Sequence, residues 1–370
     1  MKLEKVGTAL VVAMSTALIG CLVLTGCGRD SNLKAGSPAT TGPVNCGGKS
    51  DLTAEGSTAQ ENAITLFTQA WAASCPGKNL TYNPTGSGAG REQFIANHVD
   101  FAGSDSPLGG DQVGGATKRC GGNPAWNLPM VFGPVALAYH IEGVSSLAVN
   151  ADVLAKIFSG VITDWSDPAI VALNPGVELP EAKISPIYRS DSSGTTYNFQ
   201  NYLATVAPTS WNKPTGSDFQ GGVGDGAQTS EGLVEAVQST PGAIGYVEKS
   251  FADRSGLPYA QINSGNGAVA LTDNAAREAI DNATFAGTGD DLKLDMKSLY
   301  GTKAAGAYPL VLATYEIVCS KGYDAATSAA VKSFLSSSAN KGQSGLSTAG
   351  YVALPEKFKK RLAAAINAIQ

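Results

Sequence analysis

Apolar residues in the first third of the chain recur with two different periods. Three short apolar runs predict β-strands over residues 51–54, 80–83 and 99–103. A helix between the first two strands is predicted by apolar residues at helical spacing, namely Ile64, Phe67 and Trp71. A glycine-rich segment, 86–90, leads into a second predicted helix over 91–97. Strand, glycine or hydroxyl turn, helix and strand is an order typical of a parallel sheet, and ligands gather at the carboxyl ends of its strands.

Two longer apolar runs, over residues 128–139 and 308–319, have the length of strands that cross between domains. Roughly 325 residues remain after an N-terminal signal and tether, which is more than one core usually serves. We therefore expect two α/β domains, with domain I made of 46–133 and 311–370 and domain II of 134–310. Two antiparallel crossings between them would form a hinge. A last helix after Pro355 carries an apolar stripe, which indicates core packing.

The N-terminus has the order of an export signal, because two lysines precede an apolar run over residues 6–24. Leu24-Thr25-Gly26-Cys27 is similar to a lipobox, so residues 1–26 are predicted to be a signal peptide and Cys27 to carry lipid. The alternative is one transmembrane helix, since the run is about long enough to span a bilayer. A tether over 27–45, rich in Gly, Ser, Pro and Thr, favours a lipoprotein anchored on the extracytoplasmic face of the cell membrane.

Four cysteines follow the lipobox, at Cys46, Cys75, Cys120 and Cys319. An even number in an exported chain indicates disulfides, and four cysteines allow three connectivities. We favour Cys46–Cys75, which brackets the first strand–helix unit. The second pair, Cys120–Cys319, then joins distant parts of the chain. Only two histidines are present, so no zinc or other metal site is expected.

The formal net charge of −5 and the absence of a basic stripe argue against a nucleic acid partner. An acidic protein that binds an anion must do so with local hydrogen-bond donors, because its overall field does not help.

Such donors are concentrated around Arg189. An apolar run over 184–188 leads to Arg189 and then Asp191, which lies close enough in sequence to hold the guanidinium. Ser193-Gly194-Thr195 then opens a helix, whose free N–H groups suit a tetrahedral oxyanion. Two earlier segments, 56–59 and 86–90, share this pattern of hydroxyl and small residues at a helix start. Each segment alone is also compatible with an ordinary N-cap.

Asp105 is the exception in this set of donors. A carboxylate repels an anion unless the anion still carries a proton to donate. Catalytic interpretations have less support, because the chain has no Gly-x-Ser-x-Gly elbow. Gly48-Lys49-Ser50 imitates the end of a P-loop, but a strand follows it where a helix is required. We expect neither an enzyme nor a bound cofactor.

Six separated segments together resemble the PstS family, the phosphate-binding components of high-affinity phosphate ABC transporters. They are Gly56-Ser57-Thr58, the glycine-rich segment 86–90, the aspartate-bearing segment 99–108, a block over 158–176, the arginine segment 189–195 and the segment 240–248. The resemblance covers essentially the whole mature chain and implies a two-domain periplasmic-binding-protein-like fold of type II that closes on phosphate at its hinge. It also implies delivery to a membrane permease driven by a cytoplasmic ATPase.

Carried over by position, the resemblance implies that phosphate is contacted by Thr58, Ala59, Ser87, Asp105, Arg189, Ser193, Gly194 and Thr195. Asp191 would orient Arg189. The family often has a bulkier apolar residue at the Ala59 position, so only the backbone N–H of Ala59 is expected to act. Ser192 replaces a common glycine, which could tighten that turn.

Two alternatives remain at this point. The first is a binding protein for another oxyanion, such as sulfate or molybdate, and Asp105 counts against it. The second is an exported phosphatase or esterase with Ser193 or Thr58 as nucleophile, and no base or metal cluster supports it in the sequence.

Overall fold

The computed structural model describes residues 44–370. Its strands are β1 (Asp51–Gly56), β2 (Asn79–Asn83), β3 (Phe101–Ser104), β4 (Ala125–His140), β5 (Ala148–Val149), β6 (Ser185–Arg189), β7 (Asp225–Ala227), β8 (Ala243–Glu248), β9 (Gln261–Asn263), β10 (Ala268–Val269), β11 (Thr284–Phe285), β12 (Leu294–Asp295) and β13 (Val311–Cys319).

The α-helices of the same residues are α1 (Glu61–Ser74), α2 (Ser87–Ile95), α3 (Asp111–Arg119), α4 (Ala151–Phe158), α5 (Pro168–Val171), α6 (Gly194–Val206), α7 (Thr229–Ser239), α8 (Lys249–Ser255), α9 (Asp273–Asp281), α10 (Met296–Tyr300), α11 (Ala325–Ala339) and α12 (Glu356–Ala368). The signal peptide, Cys27 and most of the predicted tether lie outside the described residues.

One eight-stranded sheet, in the order β2-β1-β3-β13-β4-β8-β6-β7, positions the site. Strand β1 pairs in parallel with β2 and β3, with α1 and α2 as the crossovers, as the sequence pattern predicts. The predicted apolar face of α1 is buried, as are Phe358, Leu362 and Ile366 of α12. Two small sheets, β10-β9-β5 and β11-β12, complete the strands.

The start predicted for the second helix is wrong, because α2 begins at Ser87 and not at residue 91. Its first turn consists of serine, glycine and alanine, which carry no apolar periodicity for a sequence pattern to detect. The glycine-rich segment is thus the first turn of the helix itself.

Strand β4 joins the two halves of the sheet. Residues 125–134 pair with β13, and residues 135–140 pair with β8, in both cases antiparallel. Pro134 lies where the partner changes, a position at which a residue without an N–H is tolerated. We call β2, β1, β3, β13 and residues 125–134 the first half, and residues 135–140 with β8, β6 and β7 the second half.

The predicted α/β class is therefore confirmed, and β4 and β13 are antiparallel as expected. By their contacts the described residues form one compact unit. The division into domain I and domain II stays a prediction, taken up below as a proposal about motion.

Both predicted disulfides are confirmed. Cys46–Cys75 connects the start of the described chain to the end of α1, and Cys120–Cys319 connects the end of α3 to the end of β13. They close loops of 29 and 199 residues. By restricting the unfolded chain, each contributes about 2–4 kcal/mol to stability. No helix within residues 44–370 is long and apolar enough to span a bilayer.

Candidate functional site

The candidate site lies at the carboxyl ends of strands from both halves of the sheet. Ser57 to Ala59 follow β1, Asp105 follows β3, and Arg189 is the last residue of β6. Because β1 and β3 are parallel neighbours, the turns that follow them lie side by side. The helices α2 and α6 direct their N-termini toward the same place, one from each half.

Asp105 is buried and accepts hydrogen bonds from three hydroxyl groups. Ser57 Oγ lies 2.7 Å from both carboxylate oxygens, Thr314 Oγ1 lies 2.7 Å from Oδ1, and Ser87 Oγ lies 3.3 Å from Oδ2. Burial raises the pKa of the Asp105 carboxyl, while these hydroxyls and the charge of Arg189 oppose the shift. All three hydroxyls donate, so the arrangement suits a carboxylate that acts only as an acceptor.

Arg189 is buried and held by Asp191, as the sequence predicts. Arg189 Nε donates to Asp191 Oδ1 at 2.7 Å, and Nη2 contacts Oδ2, which makes the pair bidentate. Thr229 N also donates to Asp191 Oδ1, at 3.2 Å, from a backbone with φ of 61°. A β-branched residue rarely adopts that conformation, so backbone strain is stored beside the carboxylate.

Thr58 connects the first half of the sheet to Arg189 through Ser230. Thr58 Oγ1 lies 2.8 Å from Ser230 Oγ, and Arg189 Nη1 lies 3.4 Å from the same Ser230 Oγ. Ala59 is buried nearby, and its carbonyl accepts from the Tyr351 hydroxyl at 2.7 Å. Helix α1 begins at Glu61, so the segment 57–59 is a turn that precedes the helix and not its first turn.

The N-terminus of α6 supplies free donors. Ser193 is the N-cap, and its Oγ accepts from Thr196 N at 3.2 Å. The first N–H groups of a helix, here those of Gly194 and Thr195, have no intrahelical acceptor. The Thr195 hydroxyl is buried and has no hydrogen-bond partner among residues 44–370. This hydroxyl is therefore available to donate to a group that enters the site.

Glycine is required where the two halves approach each other. A Cβ on Gly194 would lie 2.4 Å from Ser87 Oγ and 2.6 Å from Asp105 Oδ2, and one on Gly88 would lie 2.2 Å from Ser192 Oγ. Gly88 N donates to Ser192 O at 2.9 Å, which links the two helix starts. The structure thus brings every sequence-predicted contact residue into one connected region. Whether each of them contacts a ligand stays a prediction.

Three residues that the sequence reasoning missed also belong to this region: Ser57, Ser230 and Thr314. Ser57 lies in the segment 56–59 that the sequence pattern singles out, but that pattern gives it no role of its own. Ser230 follows β7 at a helix start, so the strand–hydroxyl–helix pattern could have found it. Thr314 is a polar residue within the buried run of β13, and only the pairing of β13 with β3 brings it near Asp105.

The chemistry of this region is that of a receptor for a protonated oxyanion. Hydroxyls, helix N–H groups and one guanidinium can donate to oxygens of the ligand. Asp105 can accept a hydrogen bond from a ligand oxygen that carries a proton.

A family model described as a PBP superfamily domain matches residues 35–339. Phosphate-binding protein PstS 3 of Mycobacterium tuberculosis (strain ATCC 25618 / H37Rv) is 49% identical over 375 residues, covering 100% of both chains. Phosphate-binding protein PstS of Xylella fastidiosa is 32% identical, covering 78% of this chain and 77% of its own.

Two solved structures share the fold. A high-affinity periplasmic phosphate-binding protein (PfluDING) bound with phosphate matches with a TM-score of 0.67 and 20% identity, covering 85% of this chain and 93% of its own. A putative phosphate ABC transporter substrate-binding protein with bound phosphate from Clostridium perfringens matches with a TM-score of 0.60 and 16% identity. The match covers 82% of this chain and 100% of that one.

Proposed function

The chain belongs to the PstS family of phosphate-binding proteins, and from that premise we propose that it captures inorganic phosphate outside the cytoplasmic membrane for import by an ABC transporter. The observation that carries the proposal is the pairing of one buried acceptor, Asp105, with donors from both halves of the sheet. Phosphate at neutral pH has oxygens that accept and at least one O–H that donates, so it matches both kinds of group.

The proposed contacts are those that the family pattern assigns. Arg189 and the N–H groups at the start of α6 bind phosphate oxygens, together with the hydroxyls of Thr58, Ser87, Ser193 and Thr195 and the N–H of Ala59. Asp191 keeps the Arg189 guanidinium in one orientation, which lowers the entropy lost on binding. Asp105 accepts the phosphate proton. The loaded protein then delivers its ligand to the permease, and an ATPase subunit in the cytoplasm drives import.

Retention of radiolabelled inorganic phosphate by the full chain tests this function against hydrolysis. We expect stoichiometric label in equilibrium dialysis and no release of phosphate from a nitrophenyl ester above the rate without protein. Turnover of the ester that is lost on changing Ser193 or Thr58 to alanine would instead indicate an esterase.

Phosphate is also proposed to hold the two predicted domains together. Donors for one ligand come from both halves, and β4 changes partner between them, so a bound anion adds contacts that bridge the hinge. We expect the radius of gyration in solution scattering to be smaller at saturating phosphate than without it. An unchanged radius at saturation would contradict closure.

Attachment through lipid on Cys27 is the proposed reason that the protein stays near its transporter. The proposal rests on the Leu24-Thr25-Gly26-Cys27 sequence, and stable anchoring requires more than one acyl chain. The Cys27→Ser variant is expected to leave the membrane fraction or to accumulate with its signal uncleaved. Fractionation and gel mobility like those of the wild type would rule out this attachment.

A further inference from the structure

A second buried arginine, Arg91, lies beside the site and makes hydrogen bonds only to neutral groups. It is 6% exposed. Its acceptors are Ser104 Oγ at 2.9 Å, Ser106 Oγ at 2.5 Å, Gln112 Oε1 at 3.0 Å and Ser217 Oγ at 3.2 Å. The last of these lies in the segment between α6 and β7, the last strand of the second half. No carboxylate within the described residues 44–370 lies within 4.0 Å of its guanidinium.

The charged and titratable groups that face Arg91 come from several elements. They are Asp105 after β3, Glu92 on α2 itself, Tyr197 on α6 and Asp218 in the segment after α6. Burial lowers the pKa of Arg91, and these four groups, with Asp105 foremost, oppose that shift. Arginine stays protonated in proteins, so Arg91 carries a full positive charge inside the molecule.

The charges of the site show why this cation matters. Arg189 is neutralised by its bidentate partner Asp191, and Asp105 adds a negative charge. A phosphate dianion would thus enter a site in which the charges of Arg189 and Asp191 cancel each other. The remaining charge, that of the Asp105 carboxylate, would repel it. Among the buried groups described around the site, Arg91 is the positive charge without a carboxylate in contact.

We infer that Arg91 is a positioning residue that supplies the positive charge needed to hold a phosphate dianion beside Asp105. The inference rests on the proposed function and deepens it, because it names the residue that favours the doubly charged form of phosphate. Arg91 acts at a distance, through the field it adds and through the Ser104 and Ser106 hydroxyls that it orients next to Asp105.

Coulomb attraction is proportional to the charge of the ligand, so loss of Arg91 weakens the dianion about twice as much as the monoanion in free energy. For a unit charge acting through an effective dielectric constant of about 20, the additional loss is roughly tenfold or more in affinity. Phosphate exchanges its second proton near neutrality. The fold-loss should therefore grow as the pH rises and the dianion dominates.

Calorimetric titration with inorganic phosphate at about pH 6 and about pH 8.5 tests this inference on the full chain. The quantity compared is each variant's affinity divided by that of the wild type at the same pH. Glu316 is buried, and its carboxyl has a pKa of about 8 because of that burial. Its titration is common to wild type and variants and cancels in this ratio.

Four variants separate charge from contact. Arg91→Gln removes the charge and should lose about tenfold more affinity at the higher pH than at the lower one. Gln112→Glu leaves the guanidinium in place but puts a carboxylate at its Nε, so it should show the same trend in a correctly folded protein. Arg91→Lys keeps the charge, and Ser217→Ala removes only the contact with the second half. Both should keep a ratio that does not change with pH.

A loss equal at both pH values in Arg91→Gln and Gln112→Glu would overturn the inference, as would a loss in Arg91→Lys that rises with pH. If Arg91→Gln fails to fold, Gln112→Glu decides alone. Absence of phosphate binding by the wild type would refute the proposed function. If the wild type binds phosphate and the affinity of Gln112→Glu relative to the wild type is the same at both pH values, only the role of Arg91 is refuted.

Discussion

Replacing Asp105 with asparagine is expected to weaken phosphate binding about tenfold to a hundredfold. The same change should improve sulfate binding relative to phosphate binding. An ionised Asp105 accepts the proton of phosphate in a charge-assisted hydrogen bond, which is worth about 1.5–3 kcal/mol. Sulfate has no proton at neutral pH, so it offers the buried carboxylate no hydrogen bond and is repelled by its charge. An asparagine removes that repulsion and can donate an N–H. Calorimetric titration of both proteins with both anions measures the change.

Asp100→Asn is the matched control. Asp100 is a partly buried aspartate just before β3 whose carboxylate contacts Lys49 and Thr53 and not the site. It should leave the ratio of phosphate to sulfate affinity unchanged. If Asp105→Asn rejects sulfate as strictly as the wild type does, Asp105 is not the discriminating group.

Discrimination against sulfate is also expected to depend on pH. Burial raises the pKa of Asp105, so its carboxyl gains a proton at a higher pH than an exposed aspartate does. Below that pKa the carboxyl has an O–H to donate. Rejection of sulfate by the wild type is therefore expected to fade as the pH falls, and the Asp105→Asn variant should lack this dependence.

Replacing Arg189 with methionine is expected to weaken the binding of phosphate and of sulfate alike, by about 2–5 kcal/mol in binding free energy. The guanidinium is a charge-assisted donor that binds an oxyanion whether or not the anion carries a proton. Its loss also leaves the Asp191 carboxylate without its counterion beside the ligand. Arg119→Met is the matched control, because Arg119 is partly buried, stacks on Phe94 and lies outside the site.

The double variant Arg189→Met/Asp191→Asn separates the lost donor from the added repulsion. It should recover part of the affinity, because the neutral asparagine no longer opposes the anion. Undiminished binding of phosphate by Arg189→Met would contradict a contact between Arg189 and the ligand.

The local part of the structure could be predicted from the sequence. Strand–turn–helix units such as β1 and α1 are encoded by apolar spacing over a dozen residues, and the arginine segment carries its own orienting carboxylate, Asp191. The family pattern could name Asp105 because it lies in a recognisable segment. The even number of cysteines predicts two disulfides, and their positions favour the pairing that the structure has.

The remaining features depend on residues far apart in the chain. Thr58 meets Ser230 and Arg91 meets Ser217 across separations of 172 and 126 residues, which no local pattern encodes. Ser57 and Thr314 gain their role only because β1, β3 and β13 are adjacent strands. The start of α2 was missed because its glycines and serine carry no hydrophobic signal.

The most direct test of phosphate capture is a side-by-side calorimetric titration of the wild-type protein with phosphate and sulfate at neutral pH. A site made of these donors and one buried acceptor predicts one phosphate per chain, bound at least about a hundredfold more tightly than sulfate. Equal affinities, tighter binding of sulfate or no binding of phosphate would contradict it.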